Sequence, residues 1–188
     1  NLIWANRLKG ALETGRIVPF FQPIMDLKTN RIEKFECLVR LLDDQGEPIS
    51  PSQFLDLAKK VRLYRSITRC MVESSMRQFA DLPYTFSLNL SCEDLLDQEL
   101  SDHIIATVEQ NEIGSRVIFE ILESEGIENY AAVRQFIDRA KALGCRIAID
   151  DFGTGYSNFE HLLRLDVDLI KIDGSLIKQL DTNATAMT

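Results

Sequence analysis

From position 85 onward the chain alternates short apolar, β-rich runs with amphipathic stretches, and no other feature constrains its fold as strongly. The pattern predicts strands over 85–90, 117–122, 145–149 and 167–172, with helices over 93–110, 129–143, 156–163 and 175–180. Buried strands separated by helices imply crossover connections, and so a mainly parallel α/β sheet. Gly144 stands just past its helix as the expected C-cap, and Cys145 opens the next strand at once. Upstream, the pattern predicts a first helix ending near Gly15 and two hairpin strands over 18–25 and 31–42, joined by Lys28-Thr29-Asn30. A helix start follows at Ser50-Pro51, with Ser as candidate N-cap and Pro at the first helical position, and then a long helix over 63–80. About six strands result, two strand–helix units short of a closed eight-stranded barrel.

Composition narrows the function classes. The 188 residues carry a formal net charge of −8, so the chain has no broad basic footprint for a DNA or RNA polymer. No run approaches the ~18 apolar residues of a spanning helix. Cys37, Cys70, Cys92 and Cys145 lie far apart with no CxxC pair, and read as reduced thiols of a cytoplasmic chain. With His103 and His161 as the only histidines, a metal here is expected to take oxygen ligands. The chain opens on Asn1 with an amphipathic segment (Leu2, Ile3, Leu8, Leu12). It is therefore expected to be one domain over 1–188, excised from a longer protein: a helix over 1–15, a barrel portion over 16–180 and a frayed end over 181–188.

The polar residues fall in one kind of place. Glu36, Asn89, Glu120, Asp150, Asp151 and Lys171 all sit inside or at the end of an expected strand. Charged side chains are rarely buried unless paired or metal-bound, and a barrel directs alternate strand residues into its interior and mouth. Several carboxylates sharing a small site would neutralise one another by proton uptake unless a divalent cation supplied the compensating charge. Oxygen ligands without histidine point to Mg²⁺ or Mn²⁺. Taken singly, each acid reads more readily as a strand-end residue or salt-bridge partner; jointly that reading is much weaker. Lys171 either neutralises a neighbouring carboxylate or orients an attacking water. Arg40 shares a strand face with Glu36, and either grips a phosphate or partners one of the acids.

The loop Asp151-Phe152-Gly153-Thr154-Gly155-Tyr156-Ser157 follows a strand and opens a short helix, a geometry suited to phosphate or metal-bound substrate. Its Asp-Phe-Gly string lacks the Gly-rich loop and His-Arg-Asp motif of a protein kinase. The first βα unit carries no GxGxxG, which removes a dinucleotide-binding reading.

Six strings occur in order between Phe21 and Asp173, within a resemblance that runs from about residue 5 to residue 183. They are Phe21-Gln22-Pro23-Ile24, Glu36-Cys37-Leu38-Val39-Arg40, Ser87-Leu88-Asn89-Leu90-Ser91, Glu120-Ile121-Leu122-Glu123-Ser124, Asp150-Asp151-Phe152-Gly153-Thr154-Gly155-Tyr156-Ser157 and Lys171-Ile172-Asp173. Together they closely resemble the EAL domain family, bacterial cyclic-di-GMP phosphodiesterases on a modified TIM barrel. The resemblance implies a TIM-barrel-like α/β fold with its last strand–helix units beyond Thr188, and two-metal hydrolysis of cyclic-di-GMP to linear pGpG. It implies that one metal is held by Glu36, Asn89, Glu120 and Asp150, and a second by Asp150 and Asp151 with a later Glu. It matches Lys171 to the lysine at the nucleophilic water, Glu123 to the glutamate that steadies the Asp-Phe-Gly loop, and Gln22 and Arg40 to substrate contacts.

The alternative is a non-catalytic cyclic-di-GMP receptor or protein-interaction domain. An upstream sensor or GGDEF module is expected in the parent protein, which is cytoplasmic in this segment whether or not it is anchored elsewhere. An open barrel would leave two sheet edges for a homodimer to cover. The chain departs from the family's pattern where Cys37 replaces the signature Ala, expected to be tolerated, and where Leu122 replaces a Thr and removes a hydroxyl near the metal site.

Overall fold

The computed structural model describes residues 2–122, 130–152, 165–175 and 178. Glu123, the loop from 153 to 157, the helix over 156–163 with His161, most of the helix over 175–180 and the tail 181–188 lie outside the described residues. After helix α1 (Leu2–Glu13) come strands β1 (Ile17–Asp26), β2 (Arg31–Leu42) and β3 (Pro48–Ile49), then helices α2 (Leu55–Lys60) and α3 (Tyr64–Phe79). The alternating part holds β4 (Thr85–Leu90), α4 (Cys92–Leu96), α5 (Gln98–Asn111), β5 (Val117–Leu122), α6 (Tyr130–Ala142), β6 (Arg146–Phe152) and β7 (Leu169–Ile172). These strands form one sheet in the order β1-β2-β4-β5-β6-β7, with the short β3 also paired to β2. β2 runs antiparallel to β1 and β3, while every pair from β2/β4 to β6/β7 is parallel.

The helices cover one face of the sheet. Phe86, Leu88, Leu90, Phe119, Ile121 and Ile147 point into this layer and are buried. They meet the apolar stripes of α3, α5 and α6, which repeat at helical spacing, as in Ile67, Met71 and Val72 of α3. Full burial of each such side chain contributes about 1.5–3 kcal/mol. Phe79, at the end of α3, anchors the hairpin side. Its ring stacks on Phe86 at 4.5 Å and meets Phe21 edge-on at 5.1 Å.

Several elements differ from the pattern-based reading. The helix expected over 93–110 is two helices, because Asp97 leaves helical geometry and its carboxylate accepts from Leu100 N to cap α5. The Ser50-Pro51 start opens a 3-10 turn (Pro51–Gln53) rather than an α-helix, with no cap bond from the Ser50 side chain. β7 begins at Leu169, two residues later than expected, and β6 continues to Phe152. No described helix is long and apolar enough to cross a membrane.

Arg116 ties the C-terminus of α3 to the start of β5. Its guanidinium donates to the carbonyls of Phe79 at 2.7 Å, Ala80 at 2.9 Å and Leu82, at and just past the helix end, where the Phe79 carbonyl also accepts from the Leu82 amide at 3.2 Å. Arg116→Ala is expected to cost about 2 kcal/mol in urea unfolding, since charge-assisted bonds contribute about 1.5–3 kcal/mol net. An unchanged denaturation midpoint would show that water replaces the guanidinium without loss.

Candidate active site

The uncovered face of the sheet carries the site, and strand register decides which side chains share it. Gln22 of β1 lies opposite Glu36 of β2, and Glu36 opposite Ser87 of β4. Asn89 of β4 lies opposite Glu120 of β5, and Leu122 opposite Asp150 of β6. Because side chains alternate across a strand, these residues project from the same face, toward the C-terminal ends of the parallel strands. Glu120 is the one acid in a β5 run otherwise made of Val, Ile, Phe and Leu, and it is fully buried.

Lys171 closes the cluster. Its ammonium lies 2.6 Å from Glu120 Oε2, 3.0 Å from Asp150 Oδ2 and 3.2 Å from Glu36 Oε2. Asn89 Nδ2 donates to Glu36 Oε1 at 3.1 Å, and the Asp151 amide donates to Asp150 Oδ1 at 2.9 Å. Glu120 Oε1 and the Ser87 hydroxyl are buried with no hydrogen-bond partner among the described residues. Burial pushes the Glu120 carboxyl above the usual glutamate range, an effect that Lys171 opposes and Glu36 adds to. Burial pulls the Lys171 ammonium down, but Glu120, Asp150 and Glu36 outweigh it and hold the group above its ordinary value.

The donor set suits a divalent cation. Oxygens of Glu36, Glu120 and Asp150 all lie within 4.8 Å of one another. When ionised, the three acids exceed the single ammonium by two negative charges, and one buried carboxylate oxygen is unpartnered. All are hard oxygen donors, of the kind that hold Mg²⁺ or Mn²⁺.

The other expected positions fall around this cluster. Asp151, with a left-handed φ of 56°, is the next residue beyond Asp150 and is outside the mutually close group. Burial, with Asp150 and Asp173 nearby, raises its carboxyl. Gln22 faces Glu36 across the hairpin. Arg40 is not brought to an acid: it donates to the carbonyl of Val39 at 2.8 Å and lies 5.6 Å from the Phe20 ring centre, with no ion pair among the described residues.

A family model described as "EAL domain" matches residues 5–188. The chain belongs to the EAL domain family. It is 35% identical over 184 residues to an Escherichia coli protein named probable cyclic di-GMP phosphodiesterase PdeA, a match covering 95% of this chain and 25% of that protein. It is 30% identical over 179 residues to cyclic di-GMP phosphodiesterase PdeA of Borreliella burgdorferi, covering 92% of this chain and 27% of that one. The chain thus spans about a quarter of the length of the curated relatives it matches. Among solved structures, the FimX EAL domain from Pseudomonas aeruginosa bound to c-di-GMP superposes with a TM-score of 0.86 at 30% identity, covering 95% of this chain and 74% of that one. The fold is accordingly that of a TIM-barrel-like EAL domain, seen here as a partial barrel.

In this EAL chain the signature reads Glu36-Cys37-Leu38, and the replacement at Cys37 points away from the acids. Cys37 is buried in the helix-facing core, and burial pushes its thiol up to about 12. Leu122 lines an apolar cavity of about 270 Å³ beside the cluster, together with Leu38, Pro51, Leu55, Tyr64 and Asn89. The sequence reading missed this cavity, because its walls come from six elements spread between β2 and β5. It also missed Lys34 and Arg146, which share the site's face at the opposite end of the strands and line a second cavity of about 310 Å³ with Thr85. The period-2 alternation that selected Glu36 also selects Lys34, and would have found it.

Proposed function

We propose that this EAL domain hydrolyses cyclic-di-GMP to linear pGpG, using divalent cations and an in-line attack of water on one phosphodiester. The observation that carries the reading is the convergence of Glu36, Glu120 and Asp150 on Lys171 at the C-terminal ends of parallel strands, the face on which barrel enzymes place their chemistry. Glu36, Asn89, Glu120 and Asp150 would hold one cation, and Asp150 with Asp151 a second, with Mg²⁺ or Mn²⁺ suiting oxygen ligands. When bound, such cations lower the pKa of water toward neutrality and stabilise charge on the phosphoryl oxygens.

The chain's own groups then position the reactants. Lys171 is assigned to the attacking water, whose proton passes to an adjacent carboxylate. Gln22, opposite Glu36, is assigned to holding the nucleotide beside the scissile bond, and Arg40 to contacting its phosphate once its guanidinium turns from Val39. Glu123 is assigned to steadying the loop that follows Asp151. The apolar cavity beside Asn89 gives a flat, weakly polar ring a place out of water next to the reacting phosphate. The four free thiols suit a reducing compartment, the cytoplasm, and the greater length of the relatives suits a module that works under an upstream sensor or GGDEF domain.

The test is incubation of the chain with cyclic-di-GMP and Mg²⁺ or Mn²⁺, following pGpG, with Glu36→Ala as the blank and a binding titration in Ca²⁺ alongside. Turnover that disappears in Glu36→Ala is the expected result. Binding without turnover would replace the reading with that of a nucleotide receptor, and loss of both would remove cyclic-di-GMP as the ligand.

A further inference from the structure

The three hydrogens of the Lys171 ammonium are fully used. Its contacts go one to each acid: Glu36 Oε2, Glu120 Oε2 and Asp150 Oδ2. The second oxygens of two of these acids are also engaged, Glu36 Oε1 by Asn89 and Asp150 Oδ1 by the Asp151 amide. Among the described residues, only Glu120 Oε1 of the six carboxylate oxygens remains uncommitted. A cation that gathers all three acids must therefore take at least two oxygens that already accept a hydrogen bond. The three that face one common point are those holding Lys171. Two positive centres drawn to the same oxygens repel each other, and the fully buried Glu120 offers little water to screen them.

We propose that Lys171 is a built-in competitor of the divalent cation: the ammonium and the cation exchange for the same three carboxylates, and cation binding releases the lysine hydrogens to the attacking water. This rests on the reading of the cluster as a cation site, and adds a regulation to it. A lysine held by three acids has no hydrogen left for a water, so its positioning of the water is conditional on the cation having displaced it. Cation loading and readiness of Lys171 are thereby one event. The opposite expectation is that Lys171 preorganises the acids and so assists cation binding. The two predict opposite signs for its removal.

The experiment is a Mn²⁺ titration of the unmodified chain, Lys171→Met, Lys171→Gln and Glu36→Ala, read as free Mn²⁺ by electron paramagnetic resonance without any nucleotide. Competition predicts that both lysine variants bind Mn²⁺ at least tenfold more tightly than the unmodified chain, and that in chelator their unfolding midpoints fall below its own. A smaller or opposite change in affinity for both lysine variants, with Mn²⁺ still bound by the unmodified chain and lost in Glu36→Ala, overturns the competition and leaves the cation site standing. No Mn²⁺ bound by any of them overturns both. Lys171→Gln, which keeps a polar end and much of the stem, carries the comparison if Lys171→Met does not fold.

Discussion

Glu120→Gln is expected to lower hydrolysis of cyclic-di-GMP on the order of 10²–10³-fold while leaving the fold as stable as before, or more so. The two effects separate because Glu120 is costly to the fold and useful to the chemistry. Its side chain is fully buried, and its Oε1 has no partner among the described residues. Breaking a buried ion pair usually costs about 3–5 kcal/mol because a lone charge is left behind. Here the remaining partner is not left alone, since Lys171 keeps Glu36 and Asp150. The amide retains the shape of the acid without its charge.

The pH dependence follows from the direction of the shift. An acid whose folded pKa lies above its unfolded value releases its proton more readily when unfolded, so it weakens the fold increasingly as pH rises from the usual glutamate range through the folded value. In chelator, the advantage of Glu120→Gln should therefore be fully present above the folded value and disappear as pH falls below the usual range. Urea unfolding at several pH values reads it. A variant markedly less stable at neutral pH would show that Glu120 serves the fold, and retained turnover would remove it from the site.

Gly114→Ala is expected to destabilise by about 3 kcal/mol, the upper part of the range for forced overpacking, lowering the melting temperature by roughly 6–12 °C in a domain of this size. A Cβ at Gly114 would fall on the carbonyl oxygen of Leu143 and lie 2.9 Å from its carbon. Both are backbone atoms, so no rotamer change relieves the clash. The contact locks the turn before β5 against the end of α6. Gly144, at a left-handed φ of 88°, packs on Ser115 from the other side. Gly10→Ala is the matched control: its new Cβ meets only the end of Arg16 at 3.9 Å in a helix, where alanine is favoured by about 0.5–1 kcal/mol. Equal melting temperatures for Gly114→Ala and the unmodified chain would mean that the turn and α6 move apart freely.

The strands were legible where short apolar runs are bounded by turn residues. The six-residue β4 and β5 have the expected limits, because a run of four to eight apolar residues has few alternatives once its ends are punctuated, and the longer β2 keeps its limits between the hairpin turn and Asp43. The break at Asp97 was not legible, since the apolar spacing of α5 continues that of α4, and only the carboxylate cap reveals that the chain turns. Residue type and strand parity put Glu36, Asn89, Glu120, Asp150 and Lys171 on one face. They left open whether Lys171 meets a carboxylate or a water, because that depends on how far each strand is staggered against its neighbour. The bulge between Ile149 and Phe152 shifts β7 against β6, and local sequence does not encode that offset. Arg40 illustrates the limit of parity: it shares the face of Glu36, yet its guanidinium is taken by the adjacent carbonyl and the Phe20 ring.

Lys171 and Glu36 are 135 residues apart, so the site has an order of assembly in time. A ribosome adding roughly 5–20 residues per second makes the glutamate about 7–27 s before the lysine. Glu120 and Asp150 also precede Lys171, by 51 and 21 residues. During synthesis the three acids therefore exist before their internal counter-charge does. The four-residue β7 (Leu169–Ile172) arrives after all three acids and is drawn to a place already marked by negative charge, which compensates for how little sequence such a short strand has to specify where it docks.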